Sequence, residues 1–164
     1  MDVYLGLGTN MGNKRRNLLA AAALLAERAG DVLALSSFYE TEPWGFQSDY
    51  VFLNAALGLQ TELSSEELLQ MTQEIEQELG RTEKSNGSYQ DRIIDIDILL
   101  YGNQVMQKDK LVIPHPLMEQ RRFVLEPLAE IAPSVVHPVF GKSILELLND
   151  LERKERIKRQ KIAK

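Results

Sequence analysis

The run Arg92-Ile93-Ile94-Asp95-Ile96-Asp97-Ile98 constrains this chain more than any other segment. Side chains on a strand alternate between faces, so Asp95 and Asp97 point one way and Ile94, Ile96 and Ile98 the other. Two carboxylates in so apolar a strand are costly unless something cationic compensates them. Hard divalent ions suit oxygen ligands, and Mg2+ commonly joins one or two carboxylates with substrate phosphates. Two such ions about 3.5–4 Å apart can clamp an in-line phosphoryl displacement. The competing reading of a lone D-x-D is a solvent-facing edge that binds nothing.

Strands and helices interleave along the rest of the chain. Val3 to Leu7 reads as a strand running into the turn Gly6-Leu7-Gly8-Thr9-Asn10. Asn13 to Ala29 reads as a helix with Leu18, Ala22, Leu25 and Ala29 on one face and Gly30 at its end. Val32 to Tyr39 predicts one strand, residues 43–49 a Pro/Gly-bearing loop, and Tyr50 to Leu59 the next strand. Ser64 and Glu67 have capping-box spacing, opening a helix striped by Leu68, Met71, Ile75 and Leu79. Arg81 to Asp91 lacks periodicity and reads as a mobile surface loop. Ile93 to Tyr101 then completes the order β-α-β-β-α-β. That order predicts an α+β fold, a ferredoxin-like sheet with both helices on one face. A hairpin around Val105 and Val112, the turn Pro114-His115-Pro116, and a terminal helix burying Ile144, Leu147, Leu148 and Leu151 follow.

The chain has 164 residues, so a single domain over 1–151 with a basic helical tail over 152–164 is expected. That tail holds seven Lys/Arg and two Glu, a net of +5. The whole chain carries −5, which leaves −10 on the body. An acidic body argues against sequence-independent nucleic-acid binding, which needs clustered cations. No apolar run approaches the ~20 residues of a membrane span, and the N-terminus lacks a signal-like pattern. The chain has no cysteine, which removes disulfides, zinc-thiolate sites and thiol nucleophiles. A cytoplasmic monomer or homodimer acting on small molecules is the expectation.

The cations of this acidic body gather near its acidic pair. Arg92 adjoins it, and Arg81, Lys84, Lys108, Lys110, Arg121 and Arg122 lie in flanking segments. Cations and carboxylates together suit a metal-polyphosphate ligand. Ordinary surface ion pairs are the competing reading for Lys84, Lys108 and Arg122. His115, held between two prolines, reads equally as a phosphate contact or a packed turn residue, while His137 reads as structural. Gln73 and Glu76 share a helix face that could reach a nucleotide. The Gly6–Gly12 glycines lack the spacing of a P-loop or dinucleotide fingerprint.

Several blocks together resemble the 6-hydroxymethyl-7,8-dihydropterin pyrophosphokinase family. They are Gly8-Thr9-Asn10, Phe52-Leu53-Asn54-Ala55, Gln73-x-x-Glu76-x-x-x-x-Arg81 and Asp91 through Gly102. Pro114-His115-Pro116-Leu117-Met118-x-x-Arg121-x-Phe123 and Pro127-Leu128-Ala129-Glu130-Ile131-Ala132-Pro133 complete the set, all in the family's order over about residues 1–150. The resemblance implies transfer of pyrophosphate from ATP to the hydroxymethyl group of a reduced pterin, giving AMP and the pterin diphosphate of folate biosynthesis. It implies two Mg2+ ions on Asp95 and Asp97, and Arg81 and Arg92 acting with them in catalysis. Arg81, Arg92, His115 and Arg121 would meet the ATP phosphates, with Gln73, Glu76, Tyr89, Ile98 and Lys110 around the nucleotide. Phe52 and Phe123 would sandwich the pterin, with Gly8 and Trp44 beside it. Asn54 and the backbone near Thr41 and Pro43 would read its edge. The chain departs from the family's usual pattern at Glu83-Lys84, at Tyr89-Gln90-Asp91 and at Pro116. Two rival readings remain at this level. One is a ferredoxin-like RNA-binding module, which needs exposed aromatics and cations on the sheet. The other is a Mg2+-dependent nucleotidyl- or phosphotransferase acting on another alcohol.

Overall fold

The computed structural model describes residues 1–41, 51–80 and 93–163. Seven strands are present among them: β1 (Asp2–Thr9), β2 (Asp31–Leu35), β3 (Tyr39–Thr41), β4 (Phe52–Gln60), β5 (Asp95–Tyr101), β6 (Met106–Lys108) and β7 (Leu111–Ile113). Four helices accompany them: α1 (Lys14–Arg28), α2 (Ser65–Glu78), α3 (Arg122–Ile131) and α4 (Ile144–Ala163). The main sheet runs β2-β4-β1-β5, every neighbouring pair antiparallel, with β3 also paired to β4. Strands β6 and β7 form a separate hairpin.

Alternation on the strands builds two cores. Val3, Leu5 and Leu7 join Ile94, Ile96 and Ile98 under α1 and α2, with Leu18, Leu25, Leu68 and Ile75 above them. A one-residue slip of β5 would expose the three isoleucines and lose roughly 5 kcal/mol or more, so burial sets which face the aspartates occupy. Leu99 interrupts this phase. The register shifts between Tyr4 and Leu5, which pair with Leu100 and Ile98, and Leu99 and Leu100 both join the opposite core. That second core packs α3 and α4 on the far face through Met118, Leu125, Leu128 and Ile144.

The local signals are plainly visible. Asn13 caps α1, its side chain accepting from the Arg16 N–H. Ser64 and Glu67 cap α2 reciprocally, at 3.2 and 2.8 Å. Gly30 has φ +156, and a Cβ there would fall 2.1 Å from the Gln60 carbonyl oxygen. Only glycine lets the chain leave α1 so close to β4.

Strand β1 runs on to Thr9, through residues 6–9 where sequence reading places a turn, because each of them pairs with β4. Two expectations change further along the chain. The single strand over Val32 to Tyr39 is divided into β2 and β3. At the break, Ser36 keeps contact with β4 by donating its N–H to Ala56 O and accepting the Ala56 N–H on its hydroxyl, both at 2.9 Å. The second change is α3, where sequence reading places no helix. Pro127 lies inside it, removing a donor and crowding the Phe123 carbonyl, at a cost of about 3 kcal/mol. Burial of Val124, Leu125 and Leu128, at about 1.5–3 kcal/mol each, outweighs that cost. The terminal helix buries Ile144 and Leu147 and continues through the basic segment to Ala163.

Candidate active site

Gly6 and Gly8 lie on the β1 face opposite Val3, Leu5 and Leu7. Gly8 sits level with Asn54 on one side and Asp95 on the other, and Gly6 with Ala56 and Asp97. The two glycines make the floor of a trough between two polar walls. The row Asp95–Gly8–Asn54 crosses two strand spacings, about 10 Å. Phe52, Asp95 and Asp97 are partly exposed along it.

The β4 wall is organised by Asn54. Its side chain is 6% exposed, and Nδ2 donates to Thr41 Oγ1 on β3 at 2.6 Å. Its Oδ1 faces Gly8: a Cβ built on Gly8 would lie 3.0 Å from that oxygen and 3.9 Å from the Phe52 ring. Phe123, in the first turn of α3, is partly buried against the second core. Behind the trough, Asn17 Nδ2 donates to Thr9 Oγ1 at 3.2 Å and Met11 O at 2.9 Å, bracing the end of β1 against α1.

The β5 wall carries the charge. The Asp97 side chain is 41% exposed, and its Oδ2 lies 3.9 Å from His115 Nε2. Two hydrogen bonds place the imidazole: the His115 N–H donates to Leu99 O at 3.0 Å, and Nδ1 donates to Pro116 O at 3.0 Å. With Nδ1 bound to a carbonyl, Nε2 is the nitrogen presented to the carboxylate. Burial pushes His115 below its usual range, and the Arg121 guanidinium adds to this; the Pro116 carbonyl and Asp95 oppose it. Arg121 itself lies with Cζ 5.9 Å from the centre of the Phe123 ring.

Glu76 plays a part that spacing alone does not reveal. Among the described strands β5 is an edge of the main sheet, and the N–H of Ile96 faces away from β1. Glu76 Oε2, buried on α2, accepts that N–H at 2.8 Å, between the two aspartates. The helix therefore holds the acidic strand by a charge-assisted bond on the side away from β1. Gln73 is exposed one turn earlier on α2, and Lys110 is exposed at the tip of the β6–β7 hairpin. The Ile98 side chain is buried under α1 and α2, so the face shared by the aspartates sees only its backbone. Lys108 pairs with Glu66, and Arg122 with Glu126, Glu152 and Glu155, as ordinary surface ion pairs. His137 is buried, its Nδ1 accepting the N–H groups of Val139 and Phe140 at 3.2 and 3.3 Å, a structural turn. Arg81, Tyr89, Arg92, Pro43 and Trp44, together with the loop expected over Arg81 to Asp91, lie outside the described residues.

The carboxylate pair suits a hard cation shared with a ligand. Asp95 and Asp97 offer oxygen donors on one partly open face. Among the described residues no group of three or more His, Asp or Glu converges to hold an ion unaided. That is the donor set expected where substrate phosphates complete the coordination of Mg2+.

Comparison with known proteins decides the family. Residues 4–133 match the 7,8-dihydro-6-hydroxymethylpterin-pyrophosphokinase family. The chain belongs to that family. A Porphyromonas gingivalis 2-amino-4-hydroxy-6-hydroxymethyldihydropteridine pyrophosphokinase is 53% identical over 138 residues, 83% of this chain and 93% of that one. Proteins of the same description from Aquifex aeolicus and Bacillus subtilis are 41% and 44% identical, covering 88% and 80% of this chain, and 88% and 78% of theirs. In fold, the chain is similar to an HPPK-DHPS crystallised with substrates: TM-score 0.76, 15% identity, over 97% of this chain and 44% of that one. A Plasmodium falciparum HPPK-DHPS with pteroate gives TM-score 0.76 at 18% identity, over 97% and 43%. This pyrophosphokinase chain thus spans less than half of those crystallised chains. Within the pyrophosphokinase fold, the Thr41–Asn54 bond and the Glu76–Ile96 bond are contacts between distant segments that no local pattern announces.

Proposed function

We propose that this chain transfers pyrophosphate from ATP to the hydroxymethyl group of 6-hydroxymethyl-7,8-dihydropterin, releasing AMP and the pterin diphosphate, with Mg2+ required. The observation that carries the reading is the trough itself. A flat-floored groove has an aromatic and a buried amide at one wall and a paired carboxylate, histidine and arginine at the other. A two-ring heteroaromatic seated on Gly8 with its polar edge at Asn54 would extend its one-carbon alcohol toward Asp95 and Asp97.

Asn54 and Thr41 supply directional hydrogen bonding at the ring edge, and Phe52 and Phe123 supply apolar faces for stacking. Arg121 places donors where a triphosphate would lie beside the carboxylates, His115 Nε2 adds one when the phosphate charge favours its protonated form, and Arg81 and Arg92 are proposed to join them. Asp95 and Asp97 would hold the cations, and Glu76 keeps their strand in place. Two Mg2+ ions held there would supply neutralisation of the triphosphate charge. The hydroxyl proton passes to solvent as the new P–O bond to the β-phosphorus forms, and AMP leaves with the electrons of the broken bond between the β-phosphorus and the bridging oxygen. The protein's share of the work is positioning and charge complementarity. The substrates are small and water-soluble, and no described helix is long and apolar enough to cross a membrane.

The test is incubation with ATP, Mg2+ and the reduced pterin, followed by mass analysis. AMP together with a pterin diphosphate is expected. ADP with a pterin monophosphate, or no pterin product, would overturn the assignment.

A further inference from the structure

The run Pro127 to Pro133 takes no part in the chemistry above, yet Glu130 within it is heavily engaged. It sits in the last turn of α3 and reaches the chain that joins β2 to β3. Its Oε2 accepts the Ser37 N–H at 2.9 Å and the Ser37 hydroxyl at 3.2 Å, and its Oε1 accepts the Tyr39 hydroxyl at 2.6 Å. One carboxylate thus gathers three donors. The hydrogen bond to Glu130 is the main reason the Tyr39 phenol is pushed up to about 12. Tyr39, then the Ser37 N–H, hold Glu130 below the usual carboxylate range. Both groups therefore keep, through the neutral range, the protonation states their bond requires.

What this clamp seats matters for the site. Strand β3 is three residues long, pairs among the described residues with β4 alone, and follows a break in the ladder. So short a strand has little hold of its own. In its register Tyr39 stands opposite Asn54 and Thr41 opposite Phe52, and the Thr41 hydroxyl takes the Asn54 amide. At the other end of α3 stands Phe123. One helix therefore carries an aromatic of the site at its start and the brace of the β4 wall at its end.

We infer that Glu130 is a positioning residue for the pterin site: by clamping Ser37 and Tyr39 it fixes where β3 holds Thr41 against Asn54, without touching substrate. This rests on the pterin reading of the trough. A brace serving the fold alone would lower stability and leave the affinities for the two substrates in step.

The test is steady-state kinetics on Glu130→Ala, Glu130→Gln and Tyr39→Phe, each substrate varied in turn. In Glu130→Ala the KM for the pterin rises about fivefold while kcat and the KM for ATP stay within about twofold. Glu130→Gln, which keeps an acceptor, falls between that variant and wild type. Tyr39→Phe moves the same way by less, and the Glu130→Ala/Tyr39→Phe double variant is no worse than Glu130→Ala. In ligand-free Glu130→Ala the Asn54 side-chain amide signals shift in a proton–nitrogen correlation spectrum. Should Glu130→Ala fail to fold, Tyr39→Phe reads the same split. A parallel rise of both KM values, or a lowered Tm with an unchanged pterin KM, overturns the inference. Wild-type protein that makes no AMP from ATP and the pterin refutes the pterin reading instead, and the amide signals then decide whether the clamp orients Asn54.

Discussion

Adding one methyl group at Gly8 separates what the trough does for folding from what it does for binding. Gly8 pairs with strands on both sides, and its φ is not in the left-handed region, so Ala is compatible with the backbone. Replacing a strand glycine by Ala stabilises by roughly 0.4–1 kcal/mol through the unfolded chain. Against this, the new Cβ would stand 3.0 Å from Asn54 Oδ1, a few tenths of an ångström inside ordinary contact. Asn54 is buried and tied to Thr41 at 2.6 Å, so it cannot retreat without straining that bond. Overpacking of this kind costs about 1–3 kcal/mol, leaving Gly8→Ala folded and destabilised by at most about 2.6 kcal/mol. The same methyl occupies the floor on which the pterin ring is proposed to lie and shifts the amide that reads its edge. The kcat/KM for the pterin should fall at least about a hundredfold, roughly 2.7 kcal/mol, with little change in the KM for ATP. Gly6→Ala separates the added methyl from the displaced amide, because the nearest atoms to its Cβ would be Leu99 side-chain carbons at 3.5 Å or beyond, and a smaller loss of kcat/KM is expected there. Thermal unfolding together with kinetics at saturating ATP reads both quantities. A folded Gly8→Ala protein with a wild-type pterin KM would refute the placement of the ring.

Two further outcomes follow from other contacts. Glu76→Ala removes the acceptor of the buried Ile96 N–H and should destabilise by about 2 kcal/mol or more, measured by denaturant unfolding; unchanged stability would refute the edge role given to Glu76. Burial holds His137 below its usual range, partly opposed by Glu119, so the unfolded chain takes up the proton first. The contribution of His137 to stability is complete above about pH 6.5 and declines as pH falls from there toward its folded value. Wild-type Tm should therefore drop more steeply than that of His137→Gln between about pH 7 and 5, and parallel curves would contradict this.

Much of the fold is legible where period and burial agree. Asp95 and Asp97 separate from Ile94, Ile96 and Ile98 because a two-residue period meets a strongly apolar face. Ser64 with Glu67 marks the start of α2 because capping is local. Legibility fails where a long-range contact overrides a local rule. Pro127 hides α3, since the burial that outweighs the proline depends on a sheet far away in sequence. Ser36 conceals the break between β2 and β3, because its hydroxyl stands in for a ladder bond to Ala56. The site behaves likewise: its carboxylates are visible in one heptapeptide, whereas the approach of His115 to Asp97 and of Thr41 to Asn54 exists only after folding. Placing two aspartates on so apolar a strand is the kind of local inconsistency that marks function.

The most direct measurement is calorimetric titration of a non-hydrolysable ATP analogue, with and without Mg2+, into wild-type protein and into Asp97→Asn. Uptake that needs Mg2+ in the wild type and weakens at least about a hundredfold in the folded variant is what the acidic pair predicts. Equal affinity in the two proteins, or binding indifferent to Mg2+, would contradict it.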